Sequence, residues 1–201
     1  MQKNTRNKDY LYFEKIRMLI TITGMNGSGK STAATIIAEK LGYEYISIGN
    51  MKRALAAEMG ISISEFDELG LRPENQKDFD LKYEDYQRSL SSDANIILDS
   101  RLGFWCQPNS FKVFLTVDAH EAAKRIFAQK RETDSYATQE EVYLATKGRN
   151  DEMLERFQKL YNVNYQDTSN FDLVIDTTGK TTDETVSMIM DAFTQRQTNH
   201  A

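Results

Sequence analysis

The residues from 24 to 32 have the types and spacing of a loop that binds phosphate. They follow the pattern G-x-x-x-x-G-K-[ST], which places the last three motif residues at Gly29, Lys30 and Ser31. In such a loop the backbone N–H groups converge on a phosphate, and the next helix directs its positive end at the same anion. Lys30 would reach the β- and γ-phosphates of a nucleotide, and the Ser31 hydroxyl would ligate Mg²⁺. The residues predicted to line this loop are Gly24, Met25, Asn26, Gly27, Ser28, Gly29, Lys30, Ser31 and Thr32.

The segments on either side of the loop have the order that this motif requires. Residues 18–23 form a short apolar run rich in β-branched side chains, which is typical of a buried parallel strand. After the loop, apolar residues recur at helical spacing as far as Leu41, and Gly42 follows as a stop signal. The sequence therefore predicts a strand, a phosphate loop and a helix in succession.

Four more strands alternate with helical segments along the rest of the chain. This alternation predicts an α/β fold with a parallel, doubly wound sheet. The further strands are expected at residues 45–49, 94–99, 111–117 and 173–177.

Two helical segments lie between these strands and concern the function. Over residues 74–90 an apolar stripe of Phe79, Tyr83, Tyr86 and Leu90 predicts one helix whose charged opposite face is solvated. Residues 138–141 are expected to open a short helix within a polar segment that could close over a bound nucleotide.

Several arginines fall after the predicted strands, where an open parallel sheet collects its ligands. Planar guanidinium groups suit phosphate oxygens, and phosphoryl transfer depends mainly on neutralising charge. On position we expect Arg53, Arg101 and Arg156 to contact phosphate rather than to form surface ion pairs. For Arg131 the two interpretations are evenly balanced.

One carboxylate also ends a predicted strand. Asp99 closes the third strand, where it could hold a water bound to Mg²⁺ beside Ser31. The alternative is a carboxylate that caps a turn or helix. We favour the metal site, shared between Ser31 and Asp99.

Composition limits the classes of protein to which the chain could belong. It has 201 residues, a net charge of −5 and one cysteine. That length corresponds to one domain with a substantial core. The acidic balance argues against a nucleic-acid or membrane partner, and a single cysteine excludes an intrachain disulfide or a four-cysteine zinc site. We expect a cytoplasmic, monomeric enzyme that acts on small molecules, with residues 1–17 as a flexible N-terminal extension.

Beyond the loop, several segments resemble the nucleoside monophosphate kinases, most closely the short, archaeal-type cytidylate kinases. The likeness extends from about Met18 to Phe193, nearly the whole chain. It rests on residues 20–24, which enter the loop, and on later elements, in order, that are more selective than the loop itself. The later elements are residues 48–53, 99–102, 149–161 and 171–178.

The resemblance implies a P-loop NTPase fold over residues 18–201, with a five-stranded parallel sheet of order 2-3-1-4-5. It also implies a monophosphate-binding insert at about residues 50–92 and a lid at about residues 128–150. The turn at residues 178–180 would lie near the base of ATP.

The resemblance also implies roles for the basic residues. Lys30 and the loop would hold the phosphates of ATP, while Arg53 and Arg101 would grip the acceptor monophosphate. The arginines assigned to ATP and the transferring phosphoryl group are Arg125, Arg131, Arg149 and Arg156.

The expected reaction is ATP- and Mg²⁺-dependent phosphoryl transfer to a nucleoside monophosphate, with CMP or dCMP as the leading acceptor. One alternative is a P-loop kinase for another small acceptor, such as AMP, UMP or a non-nucleotide metabolite. Another is a switch that binds ATP without turning it over. Consumption of ATP that depends on an added monophosphate would separate these classes.

Overall fold

The computed structural model describes residues 18–72, 74–75, 77–129 and 136–199. Two predictions lie outside this part of the chain, the flexible extension at residues 1–17 and the role of Arg131.

A parallel sheet of five strands forms the centre of the molecule. In spatial order the strands are β2-β3-β1-β4-β5, and every neighbouring pair is parallel. The predicted order is therefore confirmed, with β1 in the middle of the sheet. The strands are β1 Ile20–Gly24, β2 Glu44–Ser47, β3 Ile96–Asp99, β4 Phe111–Thr116 and β5 Leu173–Asp176.

Helices connect these strands, and several of them begin at polar capping residues. The side chains of Ser47, Asp118 and Thr138 accept hydrogen bonds from the first turns of α2, α6 and α7. Ser62 and Glu65 form a reciprocal capping box at the start of α3. The helices are α1 Lys30–Leu41, α2 Ile48–Glu58, α3 Ile63–Gly70, α4 Lys82–Ser89, α5 Gly103–Cys106, α6 Ala119–Ala128, α7 Gln139–Tyr161 and α8 Thr182–Asn199.

The core is divided among three apolar clusters. The largest joins α1 and α8 to the sheet through residues such as Ile22, Ile37 and Phe193. A second lies beneath α2, α3 and α4, the part of the chain predicted as an insert, and includes Phe66 and Tyr83. The third joins α5 and α7 to β4 and contains aromatic residues, among them Phe114, Phe157 and Tyr165.

The segment predicted as one helix over residues 74–90 is instead a π-helical turn followed by α4. The π turn spans Lys77–Leu81, and α4 begins at Lys82. A π turn uses more residues than an α turn, so it rotates the following side chains away from the predicted phase. As a result Tyr86 is exposed, while Asp80, Glu84 and Gln87 are buried. The predicted apolar stripe was therefore wrong at Tyr86, and the buried face is largely polar.

Helix α7 begins where predicted but is much longer than the short helix expected there. It spans 23 residues, and its buried side includes Val142, Thr146, Asn150 and Phe157. Two of these four side chains are polar, which weakened the apolar periodicity that predicts a long amphipathic helix. None of the helices in the described ranges combines the length and the apolar character needed to cross a membrane.

Candidate active site

The phosphate loop connects the central strand β1 to α1, and two glycines bend its backbone. Gly27 and Gly29 have φ angles of 77° and 81°, in the left-handed region that favours glycine. At Gly27 an added Cβ would lie 2.8 Å from the Cβ of Ala122 in α6. No side chain caps α1 at Gly29, so the first N–H groups of the helix are placed to receive an anion.

Asp99 and Ser31 meet beside this loop. The Ser31 hydroxyl donates to Asp99 Oδ2 at 2.6 Å, and the Tyr45 hydroxyl donates to the same oxygen at 3.0 Å. Asp99 is only 4% exposed. Burial, reinforced by the charge of Asp99, raises the pKa of Tyr45, so the phenol keeps the proton that it donates. The two predicted metal-binding residues are thus in direct contact.

This hydroxyl and carboxylate suit Mg²⁺ better than a metal held by protein ligands alone. Mg²⁺ keeps several waters and is commonly bound by one or two protein oxygens together with substrate phosphates. Within the described ranges, no three His, Cys, Asp or Glu side chains form a group that could hold a metal ion. Ser31 and Asp99 therefore fit an ion that arrives with a nucleotide.

Arg125 lies against the turn between β5 and α8. Its Nη2 donates to the Thr177 carbonyl at 2.8 Å, and its Nε donates to Glu121 Oε1 at 3.0 Å. The Thr177 hydroxyl lies 3.2 Å from the carbonyl of Ser28 in the phosphate loop. The structure thus brings Arg125 to the turn at residues 178–180, which the resemblance assigns to the base of ATP.

The two predicted acceptor arginines follow β2 and β3, as expected. Arg53 is exposed on α2 and donates to Asn50 Oδ1 at 2.6 Å. Arg101 is half-buried, and its Nη2 donates to Asn26 Oδ1 in the phosphate loop at 2.6 Å. Arg101 therefore contacts the loop that is predicted to bind ATP. The resemblance had assigned Arg101 to binding the phosphate of the acceptor.

Arg149 and Arg156 both lie on α7, but their surroundings differ. Arg149 is exposed, whereas Arg156 is 6% exposed and held by two carboxylates. Its Nη1 lies 3.1 Å from Asp67 Oδ1, and its Nη2 lies 2.5 Å from Asp80 Oδ2. Both terminal nitrogens of Arg156 thus contact the insert, and its role at a transferring phosphoryl group stays a prediction.

Arg156 belongs to a set of buried and half-buried charges that we call the insert cluster: Lys52, Asp67, Asp80, Glu84 and Arg156. Lys52 Nζ lies 2.8 Å from Asp80 Oδ1, so Asp80 bridges two cations. Burial raises the pKa of Glu84; Lys52 opposes this shift and Asp80 adds to it. Burial also raises the pKa of the neighbouring Tyr161, and the charge of Glu84 adds to that shift. The cluster joins α2, α3, the π turn and α4 to α7.

Two residues that the sequence analysis did not single out also contact the site. Asn150 on α7 accepts the backbone N–H of Asn26 through its Oδ1 at 3.4 Å. Tyr165, in the segment between α7 and β5, is fully buried and accepts a hydrogen bond from Arg101. No motif spacing pointed to either residue, because each contact joins segments at least 64 positions apart in the chain.

Comparisons with known proteins identify the family of the chain. Residues 19–179 match the cytidylate kinase-like family. A cytidylate kinase of Halobacterium salinarum is 32% identical over 178 residues, covering 87% of this chain and 88% of that protein. In fold, the chain is similar to shikimate kinase from Acinetobacter baumannii, with a TM-score of 0.55 at 14% identity over 93% of this chain and 98% of that chain.

A further relative differs from these in length. An S-adenosylmethionine-dependent nucleotide dehydratase of Lacinutrix mariniflava is 36% identical over 176 residues, which cover 87% of this chain. This chain spans only 35% of the length of that protein. Residues 19–179 match the family, and the match to the Halobacterium cytidylate kinase covers 88% of that protein. Both findings support a nucleoside monophosphate kinase-like enzyme. The chain belongs to the cytidylate kinase-like family.

Proposed function

We propose that the protein transfers the γ-phosphoryl group of ATP to CMP or dCMP, giving ADP and the cytidine or deoxycytidine diphosphate. The proposal depends mainly on the residues at the end of β3. At the end of β3, Asp99 lies 2.6 Å from Ser31 of the phosphate loop, while Arg101 contacts Asn26 of the same loop at 2.6 Å. A carboxylate suited to a metal and a guanidinium suited to a phosphate thus lie two residues apart, as transfer between two phosphates requires.

On the donor side, the proposal assigns charge neutralisation to the loop and to Lys30. The backbone N–H groups of the loop and of α1 would bind the phosphates of ATP. Lys30 would stabilise the negative charge that grows at the β–γ bridge. Ser31 would ligate Mg²⁺ and Asp99 would hold one of its waters; when bound, the ion supplies positive charge to the β- and γ-phosphates.

On the acceptor side, Arg53 and Arg101 would orient the monophosphate. An oxygen of this phosphate is already anionic, so it attacks the γ-phosphorus without a general base. The bond between the γ-phosphorus and the bridging oxygen breaks, and ADP leaves with that electron pair. Arg125 is proposed to lie near the base of ATP, with Arg131 and Arg149 at the transferring group. Arg156 is proposed there as well, and it would first have to move out of its buried position beside Asp67 and Asp80.

The choice of cytosine is supported by relatives named cytidylate kinase, of which this chain spans 79–94%. The dehydratase activity in the name of the Lacinutrix relative is not part of the proposal, because this chain spans only 35% of that protein.

The test is an assay of ADP formation with ATP, Mg²⁺ and a panel of acceptors. We expect CMP and dCMP to support turnover well above UMP and AMP, and chelation of Mg²⁺ to abolish it. ADP formation at the same rate without any acceptor would overturn the kinase proposal. A preference for UMP or AMP would replace the proposed acceptor and leave the reaction type standing.

We also propose that the enzyme works as a monomer in the cytoplasm, where ATP and nucleoside monophosphates are present. Light scattering during size-exclusion chromatography should then give the chain mass of 23.1 kDa. A mass near twice that value would contradict the monomer.

A further inference from the structure

Four residues from separate parts of the chain form a closed ring of hydrogen bonds beside the phosphate loop, in which Asn26 and Asn150 each use a side-chain and a backbone group. Arg101 donates through Nη2 to Asn26 Oδ1 at 2.6 Å and through Nη1 to the Tyr165 hydroxyl at 3.3 Å. The Tyr165 hydroxyl donates to the Asn150 carbonyl at 3.4 Å, and Asn150 Oδ1 accepts the Asn26 N–H at 3.4 Å. The ring links the phosphate loop, the end of β3, helix α7 and the segment before β5.

Tyr165 is the member whose environment fixes its position most completely. It is 0% exposed, and its ring lies edge-on to Phe157 at 5.7 Å between centroids. Its hydroxyl also accepts from Gln166 Nε2 at 3.1 Å, so its one donor and two acceptor positions are all used. The Arg101 guanidinium lies 5.5 Å from the centre of the Tyr165 ring, within range of a cation–π contact.

This environment restricts how Arg101 can move. Its two terminal nitrogens are tied to Asn26 and Tyr165, yet a guanidinium has five N–H donors, so donors are left for a phosphate. A guanidinium held in place before the substrate arrives loses less freedom during the reaction. The same ring fixes Asn26, so the donor loop and Arg101 keep one spacing.

We propose that Tyr165 and Asn150 are positioning residues for phosphoryl transfer, acting through Arg101 and Asn26. The inference rests on the proposed kinase function and adds two residues to it. The Tyr165 hydroxyl orients Arg101 between the donor loop and the acceptor's phosphate, while Asn150 ties the loop to α7.

Tyr165→Phe keeps the ring, the packing and the cation–π contact, and it removes only the hydroxyl. We expect kcat to fall about tenfold or more, the size of one hydrogen bond to a charged group. The KM for ATP should stay within about threefold of the wild-type value, which is less than a tenfold change in affinity. The matched control is Tyr161→Phe in the same apolar cluster, because no hydrogen bond among the described residues joins Tyr161 to the ring. Its kcat should stay within about twofold, less than the effect of one hydrogen bond.

A double-mutant cycle distinguishes positioning from a general loss of stability. If Tyr165 acts through Arg101, then Tyr165→Phe should cause no further loss of kcat in an Arg101→Ala background. Independent, multiplying losses would overturn the proposal, as would an unchanged kcat for Tyr165→Phe alone. The wild-type enzyme is assayed in parallel; absence of acceptor-dependent turnover there would refute the kinase function itself, and this inference with it.

The ring can also be tested without turnover. The unfolding free energies of wild type, Tyr165→Phe, Arg101→Ala and the double variant should be non-additive, because the two residues share a hydrogen bond. Additive values would show that the bond between Tyr165 and Arg101 does not form in solution, which would equally overturn the proposal.

Discussion

The phosphate loop and the insert cluster are both rich in charge and hydrogen bonds, but they are organised in different ways. The loop is shaped by backbone conformation, since Gly27 and Gly29 have positive φ and α1 starts directly after them. The insert cluster is held by side chains, with Arg156 between Asp67 and Asp80 and with Lys52 on Asp80. The first region is ready to receive an anion, whereas in the second the cations are already paired with carboxylates.

This difference bears on how the enzyme would work. Backbone N–H groups that already converge need little rearrangement when phosphate binds. Arg156 is only 6% exposed and is paired with two carboxylates that are themselves buried or half-buried, so it would have to move to contact a phosphate. The loop should therefore govern catalysis directly, while the insert cluster should govern stability and the joining of the insert to α7.

The largest expected effect is in the loop. Lys30→Ala should lower turnover by about 10³-fold or more, since a cation at the transferring phosphoryl group is worth that much. The melting temperature should stay within about 3 °C, because 1 kcal/mol moves a chain of this size by about 2–4 °C. The measurement is steady-state ADP formation together with thermal unfolding.

Lys40→Ala, in the last turn of the same helix, is the control and should keep full activity. If Lys30→Ala kept more than about a tenth of wild-type turnover, the activation barrier would have risen by less than about 1.4 kcal/mol. That result would refute the assigned role.

The next effect is in the insert cluster. Asp80→Asn removes the carboxylate that bridges Lys52 and Arg156, so one buried and one half-buried cation lose their shared partner. We expect the unfolding free energy to fall by about 3 kcal/mol, which is the cost of breaking a buried pair on one side. Chemical denaturation would measure it. The control is Asp85→Asn, whose partner Arg88 is exposed on the same helix and whose loss should cost about 0–1 kcal/mol. Equal losses of unfolding free energy in the two variants would mean that the insert cluster does not stabilise the packing of the insert against α7.

A smaller effect tests whether backbone geometry shapes the loop. Gly27→Ala and Gly60→Ala both place a Cβ on a residue with positive φ, 77° and 70° respectively. Only at Gly27 would that Cβ meet another atom, Ala122 Cβ at 2.8 Å; at Gly60 there is open space. Gly27→Ala should therefore lose about 1 kcal/mol more unfolding free energy than Gly60→Ala, and it should also weaken ATP binding. Denaturation and calorimetry would check both. If the two variants proved equally stable, close packing on α6 would not constrain the loop.

The smallest expected effect concerns pH and Glu84. Burial raises the folded-state pKa of Glu84, and Asp80 adds to the shift that Lys52 opposes. As the pH rises, the unfolded state therefore releases this proton first, near the ordinary Glu pKa of about 4.3. The folded protein then loses stability until the pH has passed the raised folded-state pKa. In Glu84→Gln this loss is absent, so the melting temperature of the variant relative to wild type should increase over that range. A difference that stays constant from pH 4 to pH 8 would contradict the burial of an ionisable carboxylate there.

The same contrast explains what the sequence could predict. The loop and the contact of Ser31 with Asp99 follow from local patterns and from strand ends that converge in a parallel sheet. The strand order, in contrast, was an expectation from the resemblance to the cytidylate kinases. The insert cluster did not follow from such patterns, because Arg156 meets Asp80 across 76 positions and a π turn changes the phase of Asp80 and Glu84. Asn150 and Tyr165 were missed for a related reason, since a polar residue on a buried helix face and an aromatic residue in a connecting segment carry no motif. The loop and the contact at the strand ends were thus predictable, whereas side-chain pairs made through helix packing and connecting segments were not.

The most direct test of the kinase account follows the γ-phosphoryl group itself. The enzyme would be incubated with Mg²⁺, CMP and ATP labelled in the γ-phosphate, and the labelled products would be separated. The account predicts label in CDP, in equal amount to the ADP formed, with little label in inorganic phosphate. Label released as inorganic phosphate at the same rate with and without CMP would contradict it, because the protein would then hydrolyse ATP rather than transfer its phosphoryl group.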